Sequence, residues 1–248
     1  MIRKLPLLLV VAVLFCPSIY AENEPDSQPV PELVRAHVEG MEITKPALLE
    51  MFKLVECPDL WDTLDGSKEA LAPRDIENLI LELQEFNTSL RAAAQRVEPF
   101  IALENESLKT AAGSIFGTYQ KFIEDNEAAI SRLQSLMENP GSEEELHKAE
   151  FEVEDSIGLF TSGLSSASIS VEDAIKTNYP DQGLNGYPKE DKEEIVKRLE
   201  TIFGQNPGAD GKLEISLAEG VHFRNAVVFL IDALEERKPE AVAKQAAK

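Results

Sequence analysis

The sequence predicts an all-α protein, a helical bundle of about six helices built around a long antiparallel helical hairpin. Apolar residues recur at intervals of seven across residues 74–137, with intermediate steps of three or four. That spacing is typical of the buried stripe of a helix packed on other helices. No segment of useful length alternates apolar and polar residues as a strand does. Hydrophobic residues make up 43% of the 248 residues, which is enough to fill a core.

The hairpin is predicted because the stripe changes register once. One line of apolar residues ends at Val97, and the next begins at Leu108, displaced by one residue. Pro99 and the polar segment 104–107 lie between them, and proline removes a helix hydrogen bond. A straight helix over the whole stretch would span roughly 95 Å, about twice the width of a compact domain of this length. We therefore expect two helices folded back on each other.

The first 21 residues have the layout of a secretory signal. The basic pair Arg3 and Lys4 precedes an apolar run at 5–16, and a short segment then ends at Ala21. The apolar run is too short to span a bilayer. The sequence thus predicts a signal peptide at 1–21 and an exported protein, either periplasmic or secreted.

The two cysteines add little to this assignment. Cys16 follows Phe15, whereas a lipid-attachment cysteine normally follows a small residue, so lipoprotein anchoring is a minor alternative. After cleavage only Cys57 remains, and it cannot form an intramolecular disulfide. We expect it to be a small buried apolar group. A free reactive thiol and an intermolecular bridge are the alternatives.

The mature chain divides into a leader, one domain and a tail. Residues 22–31 are rich in proline and acids and are predicted to be a disordered leader. A single all-α domain is predicted from 32 to 238. The turn-rich loop at 179–188 is the candidate boundary of a C-terminal subdomain, 189–238. Residues 239–248 are predicted to be a flexible tail.

The first part of the domain is predicted to contain two helices. A short helix at 32–40 carries His37, which we expect to be partly exposed. A second helix is predicted to begin at Thr44, whose hydroxyl suits an N-cap, with Pro46 tolerated in its first turn.

Three helices are predicted after the hairpin. The first opens with the capping box Ser142-x-x-Glu145, is weakened by the serine-rich run 162–170, and has a candidate restart at its end. The second covers 190–203. The last helix follows the capping box that begins at Ser216. This helix is apolar on all sides, which predicts that it lies centrally in its part of the core.

Charge is the unusual property of the composition. Removing residues 1–21, which contain two basic residues and no acidic one, takes the formal net charge from −21 to −23. Such a surface repels nucleic acid and anionic membranes. It indicates either a well-solvated surface or attraction of cationic partners.

The sharpest chemical hypothesis is a di-metal carboxylate site. Glu144-x-x-His147 and Glu219-x-x-His222 each place a carboxylate and an imidazole on one helix face, as di-iron four-helix bundles do. Both pairs lie at predicted helix N-termini, where acids favour capping and the helix dipole. Surface capping is therefore preferred, and no metal, catalytic or cofactor-binding residue is assigned.

Other chemical motifs are weak or missing from the sequence. The loop 206–217 faintly resembles a calcium-binding EF-hand, but Leu217 stands where a bidentate Glu is required. No histidine lies in a recognisable nucleophile setting. Asn87 and Asn105 match the glycosylation acceptor pattern, and only Asn105 lies in a predicted helix break.

These observations favour a non-enzymatic, exported binding or structural module that needs no cofactor and is not inserted in a membrane after signal removal. Its partner is an unknown protein or a cationic species. A metal-binding bundle or enzyme using Glu144, His147, Glu219 and His222 is the main alternative. An oligomeric helical sensor or adhesion domain, assembled through the heptad stripe, is the other.

Overall fold

Six α-helices make up most of the described chain. The computed structural model describes residues 29–55, 73–138, 143–179, 187–204 and 217–235. No β-strand occurs within these ranges, so the predicted all-α helical bundle is confirmed. The helices are, in chain order, α1 (Pro29–Val55), α2 (Pro73–Val97), α3 (Glu106–Glu138), α4 (Glu143–Asn178), α5 (Lys189–Gly204) and α6 (Leu217–Glu235).

The predicted hairpin is formed by α2 and α3. A 3₁₀ helix, Glu98–Ala102, follows α2 and has Pro99 in its first turn. The side-chain oxygen of Asn105 then accepts hydrogen bonds from the backbone N–H groups of Ser107 (3.1 Å) and Leu108 (3.2 Å), which caps α3. Because this short connection joins two helices that pack together, they run antiparallel.

The core of the described chain lies between six helices, each of which packs on two neighbours so that the contacts form a ring. α1 packs on α2, α2 on α3, α3 on α4 and α4 on α6, while α5 contacts both α6 and α1. In the heptad lines that end at Val97 and begin at Leu108, every residue is buried in this core except Ala129, which is half-buried. The protein's own helices therefore cover the stripe. Its buried members are Ile76, Leu83, Leu90, Val97, Leu108, Ile115 and Phe122.

Three phenylalanines form a layer across the middle of the hairpin and α4. The ring of Phe86 lies 5.1 Å from that of Phe122 and 5.7 Å from that of Phe160, edge to face in both cases. Phe122 and Phe160 stack at 4.5 Å. These are favourable geometries for aromatic pairs. We call this set the aromatic layer, and it divides α2, α3 and α4 into two halves each.

The direction of α4 follows from its contacts with α3. The amide of Asn178 donates to the hydroxyl of Ser107 at one end (3.0 Å), and Arg132 pairs with Glu152 towards the other. Residue numbers rise along α3 as they fall along α4, so these helices are antiparallel. The first half of α2, the second half of α3 and the first half of α4 consequently lie on the same side of the aromatic layer.

The prediction of two helices before residue 57 is wrong, because α1 is continuous. Thr44 is not an N-cap: its hydroxyl donates to the carbonyl of Gly40 (2.9 Å), one turn earlier in the same helix. Pro46 lies inside α1 on its exposed side. The predicted leader is also too long, since α1 begins at Pro29 and Val30 is buried.

The candidate restart after the serine-rich run is also wrong. α4 passes through 162–170 without interruption. Two hydroxyls bond to carbonyls of their own helix, Ser166 to Ser162 (3.1 Å) and Ser170 to Ser166 (3.2 Å). The small residues also permit close packing, because a Cβ at Gly163 would lie 2.8 Å from a methyl group of Thr118 on α3.

Several sequence predictions fall outside the described residues. These are the signal peptide at 1–21, the environment of Cys57, most of the loop 206–217 and the tail at 239–248. Within the described ranges, every helix is too short or too polar to cross a membrane.

Candidate functional site

The two Glu-x-x-His pairs lie on helices that pack together, α4 and α6. Glu144 is exposed and His222 is half-buried. The side chains of His147 and Glu219 are outside the described part of the structure. Among the described side chains, no three His, Cys, Asp or Glu residues come together in a way that could hold a metal ion. The described side chains therefore include no set of ligands for the di-metal site.

Acidic residues are unevenly distributed about the aromatic layer. The segments 73–85, 123–138 and 143–159, which share one side of it, contain 15 acidic and three basic residues. The segments 87–121 and 161–178 on the other side contain five of each. We call the first group the acidic end. The antiparallel packing of three helices therefore concentrates the negative charge of this part of the bundle in one place.

A buried polar group lies on the other side of the aromatic layer, between α1 and α4. His37 is fully buried, and its Nε2 shares a hydrogen bond with the hydroxyl of Ser168 (3.0 Å). Burial lowers the pKa of His37 to about 4, because an imidazolium there would be desolvated. His37 is therefore neutral at pH 7. The expectation that it is partly exposed is wrong, since α1 also contacts α3, α4 and α5.

The hydroxyl of Tyr119, from α3, lies against Gly40 of α1, one turn beyond His37. Tyr119 is fully buried, and burial raises its pKa. Neither its hydroxyl nor Nδ1 of His37 has a hydrogen-bond partner among the described residues. Solvent does not reach either side chain in this fold, so we assign them to packing and not to catalysis.

Ion pairs fix α5 beside α1, in parallel. Arg35 pairs with Asp191 (2.7 Å), and Arg198 binds both carboxylate oxygens of Glu42 (2.9 and 2.5 Å). These bonds raise the pKa of Arg198 further. The ammonium group of Lys45 donates to a carbonyl in the last turn of α5 (2.8 Å), which satisfies a group that lacks a helical partner. Burial lowers the pKa of Lys45.

Comparison with protein-family models, with curated proteins and with solved structures finds no match to this chain. The distribution of charge about the aromatic layer is the observation from which a function is proposed below. His37 and Tyr119 are buried, and no catalytic role is assigned to either.

Proposed function

We propose that this chain is a non-enzymatic, exported binding module that recruits a cationic partner to its acidic end. The supporting observation is the uneven charge about the aromatic layer. One side has 15 acidic and three basic residues, whereas the other has five acidic and five basic residues. Carboxylates brought together at the end of a bundle attract cations over about one Debye length and steer their approach. The proposal of export rests on the signal-like residues 1–21 alone.

The proposal can be tested with a fluorescein-labelled oligolysine of about 18 residues, long enough to cross several helix widths. Its fluorescence anisotropy reports binding to the purified chain at about 20 mM and about 150 mM salt. A first variant neutralises four exposed acidic residues at the acidic end: Glu77→Gln, Glu85→Gln, Glu124→Gln and Glu144→Gln. A matched control removes the same charge elsewhere: Glu98→Gln, Glu104→Gln, Glu106→Gln and Glu190→Gln.

We expect oligolysine binding that weakens with salt, and a loss of about tenfold in affinity for the first variant against about twofold for the control. Each set of substitutions is on the surface, so both variants should keep their helical circular dichroism. Absence of binding at low salt would contradict the proposal. Equal losses in the two variants would also contradict it, because the attraction would then come from net charge and not from the acidic end.

A further inference from the structure

Exposed apolar side chains are concentrated on one helix. Five large hydrophobic residues are exposed in the described chain, and three of them belong to α4: Phe151 (49% exposed), Leu159 (60%) and Ile169 (42%). The other two, Leu81 and Val221, lie singly on α2 and α6. Isolated exposed apolar residues are ordinary, whereas a set on a single face indicates an interaction surface.

The three α4 residues share one face. At about 100° per residue, Phe151 and Ile169 have the same direction and Leu159 lies within about 80° of it. The same arc contains three exposed acidic residues, Glu144, Asp155 and Asp173, one exposed basic residue, Lys148, and two serines, Ser162 and Ser166. We call this set the outer face of α4. The buried residues of α4 lie on its other sides and pack in the core: Val153, Ile157, Phe160 and Leu164.

The serines make the outer face suitable for close approach by another helix. Ser162 and Ser166 are small, and they separate Leu159 from Ile169 by a shallow stretch of surface. The hydroxyl of Ser166 bonds to the carbonyl of Ser162, so it needs no partner outside the helix. Small residues between larger apolar ones let a second helix lie close to the first.

We propose that the outer face of α4 docks a basic amphipathic helix of a partner protein. Its apolar side would cover Phe151, Leu159 and Ile169, and its Lys and Arg residues would lie beside the flanking carboxylates. This inference rests on the proposed function, to which it adds the surface and the form of the partner. Charge complementarity selects this occupant, because a second copy of the chain would bring the same carboxylates together.

The geometry also sets the length and polarity of the partner. Phe151 and Ile169 are 18 positions apart on α4, a span of roughly 27 Å, so the docked helix needs about five turns. The Phe151 end of the face belongs to the acidic end, whereas Ile169 lies beyond the aromatic layer. The basic residues of the partner are therefore expected to be denser at the end that covers Phe151.

The test compares two labelled peptides of about 18 residues with the same Lys and Leu content. One has leucines at helical spacing and is amphipathic, while the other has the leucines scrambled. The purified chain is compared with the triple variant Phe151→Ser, Leu159→Ser and Ile169→Ser. The double variant Leu81→Ser and Val221→Ser is the matched control, since it removes exposed apolar groups elsewhere. All three positions of the triple variant are exposed, so it should fold.

We expect the amphipathic peptide to bind the chain at least about tenfold more tightly than the scrambled one, and the triple variant to lose that difference while the control keeps it. Equal binding of both peptides would overturn this inference and leave the proposed function standing. Binding of neither peptide, nor of oligolysine, would overturn both. A dimer of the free chain in light scattering that the triple variant makes monomeric would also overturn the inference, because the occupant would be a second copy.

Discussion

Replacing Gly40 with alanine is expected to lower the free energy of unfolding by about 2 to 3 kcal/mol, although alanine is the better helix former. The added Cβ would overlap the hydroxyl oxygen of Tyr119. It would also lie 3.2 Å from Cζ, the ring carbon that carries this hydroxyl. Tyr119 is fully buried between helices and cannot swing away without opening the core. Urea denaturation followed by circular dichroism measures the change.

Gly117 provides the matched control on α3, because a Cβ there would have no neighbour within 4 Å among atoms outside its own turn of helix. Gly117→Ala should therefore stabilise the protein by up to about 1 kcal/mol. The double variant Gly40→Ala with Tyr119→Phe should recover about 1 to 2 kcal/mol of the loss, since the overlapping hydroxyl is gone. Equal effects at Gly40 and Gly117, or no recovery in the double variant, would show that α1 and α3 do not approach as described.

Acidification is expected to destabilise the protein through His37. The pKa of His37 is about 4 in the folded protein and 6.5 in a free side chain, so below pH 6.5 the unfolded chain binds a proton that the folded one does not. Stability is therefore lost as the pH falls from about 6.5 towards 4. Between about pH 7.5 and pH 5 the loss from this group is about 2 kcal/mol.

The variant His37→Gln isolates this contribution, because glutamine can still bond to Ser168 but does not titrate in this range. The carboxylates titrate in both proteins and cancel in the difference. Denaturation curves at a series of pH values should show the stability of the native chain falling relative to that of His37→Gln as the pH drops. A constant difference would mean that His37 is accessible enough to be protonated in the folded state.

Much of the hairpin could be predicted from the sequence, because its signals are local. Apolar residues at sevenfold spacing such as Leu83 and Leu90 can only be buried together on one side of a helix, and both are fully buried. Pro99 and Asn105 mark the break between α2 and α3, and the hydrogen bonds that cap α3 are local to the turn. These elements needed no tertiary information.

The errors arose where tertiary contacts override local preference. Pro46 indicated a helix start, yet a proline on the exposed side of a helix already packed by its neighbours does not end it. The serine-rich run indicated an interruption of α4, yet the helix continues through it, and α3 approaches it closely at Gly163. His37 was assigned to a short helix. Its spacing from Val34 and Met41 places it on the buried side once α1 is continuous.

The acidic end and the outer face of α4 could not be predicted from the sequence, because their residues are brought together only when the helices pack. The net charge of −21 says nothing about where the charge is. Its concentration depends on α3 running antiparallel to both α2 and α4, and the exposure of Phe151 depends on which side of α4 meets the core. Both are properties of the packed bundle.

Docking of a basic amphipathic helix on the outer face of α4, next to the acidic end, can be mapped residue by residue. The most direct test is to titrate the amphipathic Lys/Leu peptide into ¹⁵N-labelled protein and follow the backbone amide resonances. We expect the largest shifts on residues 144–169 and smaller ones on the half of α3 that belongs to the acidic end. Shifts centred on α1 and α5, or spread evenly over the bundle, would contradict it.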